Sequence, residues 1–232
     1  MSEHPATEPT PGNRLAAERT DYLTGSLADD APEDPIALFD AWLDAAFARR
    51  AEHGDLSDPS AVVLSTVALD AAGAPSPRSR TVLLKDHDAE GFVVYTNLRS
   101  AKAREIAATP RAALLMPWYA LQRQVRIEGA AAPVPAAVSD AYWARRPRGA
   151  QLGAWASQQS EEIASREDLE QQYAEVEARF ADGPVPRPAH WGGLRVQAER
   201  MEFWQGREHR FHDRIAYLRT AGGAWSRHRL QP

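Results

Sequence analysis

AVVLSTVAL, residues 61–69, is the stretch on which the fold turns. It is a run rich in β-branched side chains, the composition of a strand rather than a helix. A turn signal at Ala72-Gly73 separates it from RSRTVLLK (78–85), and Asp88-Ala89-Glu90-Gly91 separates that from FVVYT (92–96). Connections this short join antiparallel neighbours. Next, SAKAREIAA (100–108) has the form of a short helix capped by Ser100 and stopped by Pro110, with Lys102 in its first turn. Two more strands follow at 112–118 and 123–129. Five strands with short connections and a single helix among them favour a compact antiparallel barrel over a doubly wound sheet.

Outward from this block, Asp34-Pro35 supplies an N-cap and a first-turn proline. Phe39, Trp42, Leu43 and Phe47 then recur at helical spacing to about residue 51. Residues 1–12 (MSEHPATEPTPG) are polar and proline-rich and are expected to be a disordered tail; residues 13–30 resemble an arm. Downstream, a helix is expected from 135 to about 145, leading into Arg146-Pro147-Arg148-Gly149, and Ser157 to Ser160 closes a polar loop after Trp155. Ser165, with Asp168 three residues on, caps a helix to about 181 whose Leu169, Tyr173, Val176 and Phe180 share a face. A proline-rich connector (183–188) leads to a strand at 194–204, and a last hairpin turns at 220–223. Residues 13–232 thus form a single α+β domain.

Composition narrows the chemistry. The 232 residues contain no cysteine, which removes disulfides, thiolate catalysis and cysteine-ligated metals. No apolar run reaches the ~20 residues of a membrane span, and the N-terminus lacks a secretory pattern, so a cytoplasmic protein is expected. The net charge of -5 speaks against a nucleic-acid partner. Metal ligation is not expected from seven scattered histidines without HExxH. Of 27 basic residues only Lys85 and Lys102 are lysines. A compact ammonium suits a narrow phosphate pocket better than a wide guanidinium, which marks both positions.

Candidate ligand groups fall into two sets. Arg80, Thr96, Lys102, Gln124, Gln159 and Ser160 lie at strand ends, a helix start and a polar loop, where cations, hydroxyls and amides converge on a phosphate or a heterocycle edge. Lys85, Tyr142, Arg146, Arg210 and His212 form a second cationic set with a phenol. WQGREHRFHDR (204–214) is the densest charged stretch; if residues 210–214 are extended, Arg210, His212 and Arg214 share one face. The competing reading is a polar edge strand carrying solvated charges. There is no Rossmann or P-loop signature and no GxSxG elbow. Residue chemistry alone therefore reaches an α+β barrel with one or two anion pockets.

RTVLLK (80–85), VYTN (94–97), PWYALQRQV (117–125), RRPRGAQLGAWASQQS (145–160), HWGGLRV (190–196), EFWQGREHRFHDR (202–214) and RLQP (229–232) occur in one order over about two thirds of the chain. In these motifs the sequence resembles the pyridoxamine/pyridoxine 5'-phosphate oxidases, FMN enzymes with an antiparallel split β-barrel of six or more strands, flanking helices and a homodimeric assembly with sites at the interface. The resemblance implies that FMN is held by Arg80, Thr81, Val82, Lys85, Tyr95, Thr96, Lys102, Gln124, Gln159, Ser160, Trp204 and Arg214. It implies a substrate, pyridoxine or pyridoxamine 5'-phosphate, met by Lys85, Tyr142 and Arg146 at its phosphate and by Arg210 and His212 at its ring, these last two being the catalytic pair. O2 would be the electron acceptor. Two departures stand out: Ala101 where the family pattern has an arginine, for which Arg99 or Arg104 is a candidate substitute, and Ala150 where it has a serine. Related oxidases acting on dihydrophenazine rings, and a non-catalytic flavin or pyridoxal-phosphate module, are the alternatives the same resemblance leaves open.

Overall fold

The computed structural model describes Tyr22 and residues 25–232. The expected tail at 1–12 and most of the arm at 13–30 lie outside the described residues. Helix α1, Pro35–His53, begins where Asp34 accepts the Ile36 N–H at 2.9 Å and ends at Gly54, whose φ of 69° is the left-handed value glycine tolerates. Then come β1 (Ala61–Leu69), β2 (Pro75–Asp88), β3 (Gly91–Asn97), α2 (Ala101–Ala108), β4 (Arg111–Trp118) and β5 (Arg123–Pro133). Helices α3 (Ala136–Arg145), α4 (Arg148–Ala156) and α5 (Arg166–Arg179) precede β6 (Trp191–Gln205), β7 (Asp213–Arg219) and β8 (Trp225–Leu230).

All strand pairs are antiparallel, in the order β3-β2-β1-β4-β5-β6-β7-β8, and a β3–β6 pairing closes the first six into a ring. β6 makes this possible because it is fifteen residues long. One edge pairs with β5; the other pairs with β3 over Trp191–Val196 and with β7 over Arg200–Gln205. Alternate residues point into the ring: Val62 and Leu64, Leu114 and Met116, Val125 and Ile127, Met201 and Phe203 are all fully buried. Phe39 and Trp42 of α1 plug this core, Phe39 edge-on to Phe92 and Trp42 edge-on to Phe203. Among the described residues no helix is long and apolar enough to cross a membrane.

Two local expectations are corrected. Residues 148–156 form α4, a helix beyond those expected, and the polar loop at 157–160 follows it. Gly149 and Gly153 lower its intrinsic propensity, but Leu152 is buried in a second core with Trp143, Val185 and Trp191, and that packing outweighs propensity. Residues 210–212 are not extended. Glu208–Arg210 is a 3₁₀ turn in which His209 and Arg210 have φ of 54° and 63°, and β7 starts only at Asp213, so the proposed common face of Arg210, His212 and Arg214 is not formed by strand alternation. A smaller difference concerns Ser100: it sits at the N-cap of α2, but its side chain accepts from Lys102 Nζ at 3.2 Å rather than capping the helix.

Register shifts mark two bulges. In the β2–β3 ladder Leu84 faces Val94 and Asp86 faces Val93, so Lys85 is the extra residue. In the β5–β6 ladder Glu128 faces Arg200 and Gly129 faces Ala198, leaving Glu199 extra. A Cβ on Gly129 would stand 1.7 Å from the Gln197 carbonyl oxygen, a backbone atom that cannot swing away. Gly129→Ala should therefore destabilise the barrel by at least ~2 kcal/mol, seen as a drop in melting temperature of roughly 4–8 °C in a calorimetric or circular-dichroism melt.

Candidate functional site

β2 and β3 pair only from Leu84 to Asp88 on the β2 side. Before that, Arg80–Leu83 pair with β1 alone, and Tyr95 and Thr96 pair with β6 alone. The strands separate here, and a cavity of about 510 Å³ opens in the gap. Arg80, Thr81, Val82, Lys85, Tyr95, Thr96, Lys102, Tyr142, Arg146, Gln159 and Ser160 all line it, joined by Leu83 and Ala101. Each arrives from a different constraint: the bulge turns Lys85 out of strict alternation, the start of α2 delivers Lys102, and α3 ends in the Tyr142–Arg146 segment. Gln159 and Ser160 come from the loop after α4, where Ser160 has a left-handed φ of 78° and its Oγ accepts the Ala101 N–H at 3.2 Å.

Four cations, Arg80, Lys85, Lys102 and Arg146, line the cavity. Lys102 is only 7% exposed, and its ammonium donates to Thr96 Oγ1, Ser100 Oγ and Gln159 Oε1 at 3.2, 3.2 and 3.0 Å. Burial, aided by the nearby Arg80 charge, pushes its pKa below the ordinary lysine value. Arg146 donates Nε–H to the Ala150 carbonyl at 3.2 Å and lies 5.0 Å over the Trp191 ring. Burial lowers its pKa too, partly offset by Tyr142. Among the described residues, neither cation has a carboxylate in an ion pair. Arg80 does: its Nη2 meets Glu105 Oε2 at 2.8 Å. Tyr142 stacks on Tyr95 at 3.9 Å with planes 7° apart, and Tyr95 stacks on Trp191 at 5.3 Å, giving the anion pocket a flat aromatic wall.

Gln124, Trp204, Arg214, Arg210 and His212 do not line this cavity. Gln124, Trp204 and Arg214 share one cross-strand row over β5, β6 and β7. Following Thr81, Val63, Leu115, Arg126 and Glu202 across the sheet takes four strand spacings, roughly 19 Å along the surface. Within one chain the two groups do not line the same cavity. Arg214 donates Nε–H and Nη2–H to Glu202 Oε1 at 3.0 and 2.7 Å, and Glu202, 3% exposed, also binds Arg126 and Arg200 at 3.0 Å each. Burial works to raise the Glu202 pKa, but these arginines hold it below the ordinary value. His212 packs 4.7 Å from Trp204, and its Nδ1 accepts the Arg207 N–H at 3.1 Å. Arg210 and Phe211 are exposed, Phe211 by 77%.

Sequence reasoning missed Glu105, Trp191 and Tyr22. Glu105 stood three residues after Lys102 on a helix, a spacing that could have flagged it. Tyr22, edge-on to both Trp204 and His212 at 5.6 and 5.3 Å, belongs to an aperiodic segment without a signal. Neither Arg99 nor Arg104 lines the cavity to replace the arginine missing at Ala101; Arg104 instead pairs with Glu161 at 2.9 Å.

A family model described as pyridoxamine 5'-phosphate oxidase matches residues 50–180, and one described as the pyridoxine 5'-phosphate oxidase C-terminal dimerisation region matches residues 191–232. The chain is 53% identical over 219 residues to a pyridoxine/pyridoxamine 5'-phosphate oxidase of Rubrobacter xylanophilus, covering 94% of this chain and 96% of that one. It is 50% identical over 220 residues to a protein of the same name from a Nocardioides species, covering 94% and 98%. Among solved structures, PhzG from Burkholderia lata, crystallised with tetrahydrophenazine-1-carboxylic acid, superposes with a TM-score of 0.80 at 32% identity, covering 91% of this chain and all of that one.

Burial foremost, and then the Arg210 charge, lowers the His212 pKa below 6.5. In the unfolded chain the imidazole binds its proton at higher pH than in the fold, so the unfolded state holds more protons in the window below 6.5. The His212 contribution to stability is then complete above the unfolded value and lost as pH falls towards the folded one. A ¹H–¹⁵N NMR titration should put the His212 midpoint below the ordinary imidazole value of about 6.5; a midpoint at or above it would contradict the assignment.

Proposed function

Because the chain belongs to the pyridoxamine 5'-phosphate oxidase family, we propose that it is an FMN-dependent oxidase converting pyridoxine or pyridoxamine 5'-phosphate to pyridoxal 5'-phosphate with O2 as acceptor and H2O2 as product. The observation that carries this reading is the cavity in which Lys85, Lys102 and Arg146 stand without ion-pair partners among the described residues, beside stacked aromatic rings. Lys102 and Arg146 are partly desolvated as well, and such cations without carboxylates favour an anionic ligand. The cofactor and the substrate proposed each carry one phosphate and one planar ring, which cations beside stacked aromatics fit.

Lys102, Arg80, Ser160 and Gln159 would hold the FMN phosphate at the start of α2, with Thr81, Val82, Lys85, Tyr95 and Thr96 completing the pocket, while Gln124, outside this lining, would reach it from a second copy. Lys85, Tyr142 and Arg146 would hold the substrate phosphate. The chemistry that bound FMN supplies is acceptance of a hydride from the substrate's C4' and return of the two electrons to O2. The protein's share is orientation, which accounts for a large part of such a rate enhancement. His212 has a specific form in it. Since Nδ1 accepts the Arg207 N–H, the neutral ring carries its proton on Nε2 and acts as a hydrogen-bond donor, with Arg210, to the substrate ring.

Arg210, His212, Trp204 and Arg214 reach a cavity only if it belongs to a second copy. A homodimer in which the partner's Arg210, His212, Trp204 and Arg214 complete this chain's cavity accounts for their absence from its lining. It is supported by the dimerisation-region match over the segment that contains all four. Phe211 and Tyr119, 77% and 84% exposed in the single chain, are apolar surface that such an interface would cover.

Purified protein should be yellow and should release peroxide and aldehyde when given pyridoxine 5'-phosphate in air. Arg146→Ala should raise KM about 10–100-fold, the cost of one or two hydrogen bonds to a charged group, with a smaller effect on kcat. Bound flavin that ignores the phosphate ester yet oxidises a dihydrophenazine would move the chain to the second reading, represented by the PhzG likeness. Shared sites make a further prediction. Lys102→Met and Arg210→Ala homodimers should each be nearly inactive, while their co-expressed heterodimer should regain one intact site; a heterodimer as inactive as its parents would refute sharing.

A further inference from the structure

An acidic side chain close behind the wall of an anion cavity opposes the ligand, yet Glu105 stands there, 9% exposed, three residues beyond Lys102 on α2 and paired with the lining residue Arg80. Its Oε2 accepts from Arg80 Nη2 at 2.8 Å and from the Thr66 hydroxyl. Arg80 Nη1 in turn donates to Thr66 Oγ1 and, at 3.4 Å, to the Leu64 carbonyl. The guanidinium is thus gripped from β1 and α2 together. Three of its five N–H groups are engaged, which leaves Nε–H and one Nη2–H, neighbouring donors on one edge, for a ligand in the cavity that Arg80 lines.

We propose that Glu105 is a positioning residue for the cofactor: it fixes Arg80 so that the free edge of the guanidinium meets the FMN phosphate, an inference that rests on the FMN reading above. Two simpler roles make different demands. Were Glu105 there only to balance charge, removing it would strengthen the field on an anion and tighten binding. Were it there only to hold α2 against the sheet, its loss would affect every ligand of the cavity alike. Orientation alone predicts weaker binding confined to ligands that carry the phosphate. Thr66, 2% exposed, belongs to the same device because its hydroxyl donates to Glu105 while accepting from Arg80.

The test is titration of FMN and of riboflavin, which lacks the phosphate, into the full-length apoprotein, followed by flavin fluorescence with a melt of each variant. Glu105→Ala should weaken FMN about tenfold and leave riboflavin unchanged, and Glu105→Gln, which keeps an acceptor oxygen, should fall between Ala and the unaltered protein. Thr66→Val should show the same FMN-selective loss and carries the test if Glu105→Ala does not fold. FMN bound by these variants as tightly as by the unaltered protein, or more tightly, overturns the proposal, as does a parallel loss of FMN and riboflavin. Failure of the unaltered protein to bind FMN would instead sink the cofactor reading.

Discussion

β2 and β3 share hydrogen bonds over a short ladder, and the site exists because that ladder stops. β2 is fourteen residues long, but only from Leu84 onward does it face β3. The preceding residues present an edge of backbone N–H and C=O groups that need partners. In an ordinary barrel a neighbouring strand would supply them. Here β3 turns to β6 instead, and side chains from α2, α3 and the loop after α4 line the opening. The bulge at Lys85 sits at the fork, so the residue that breaks the register is also the one delivered into the cavity.

The second constraint is charge held under the surface. Glu105 and Glu202 are nearly buried carboxylates, each committed to arginine: one to Arg80 beside the cavity, the other to Arg126, Arg200 and Arg214 on the outer face of the sheet. Both have pKa values held low against the pull of burial, so both stay ionised at neutral pH. Buried pairs of this kind stabilise little in net terms, because desolvation offsets most of the attraction. Their effect is geometric: a guanidinium gripped on one edge presents the other in a fixed direction. Lys102 and Arg146 are organised differently, by neutral acceptors and by an aromatic face, with no carboxylate in an ion pair among the described residues.

Much of the fold was legible in the sequence, and for physical reasons that can be named. Asp34-Pro35 starts α1, Ser165 caps α5, and the β-branched run at 61–69 forms a strand, all through local backbone chemistry. The rarity of lysine marked Lys85 and Lys102, and the structure brings both into the same cavity. α4 was illegible because two glycines mask a helix that exists through the burial of Leu152. The turn at Glu208–Arg210 was illegible because left-handed His209 and Arg210 follow from no residue preference; non-glycine residues adopt such φ values only when surroundings impose them.

Local sequence thus determined which residues form strands and helices, where those elements begin, and which side chains have the chemistry to bind an anion. Tertiary structure alone decided their grouping. Gln124, next to Arg123 at the start of β5, read as a companion of Lys102 but lies across the sheet in a row with Trp204 and Arg214, whereas Lys85, Tyr142 and Arg146 join Arg80 and Lys102 in one cavity. The reason is that grouping depends on register and ring closure, which are sums over many weak long-range contacts. No window of neighbouring residues contains the β3–β6 pairing that closes the ring or the point at which β2 and β3 part.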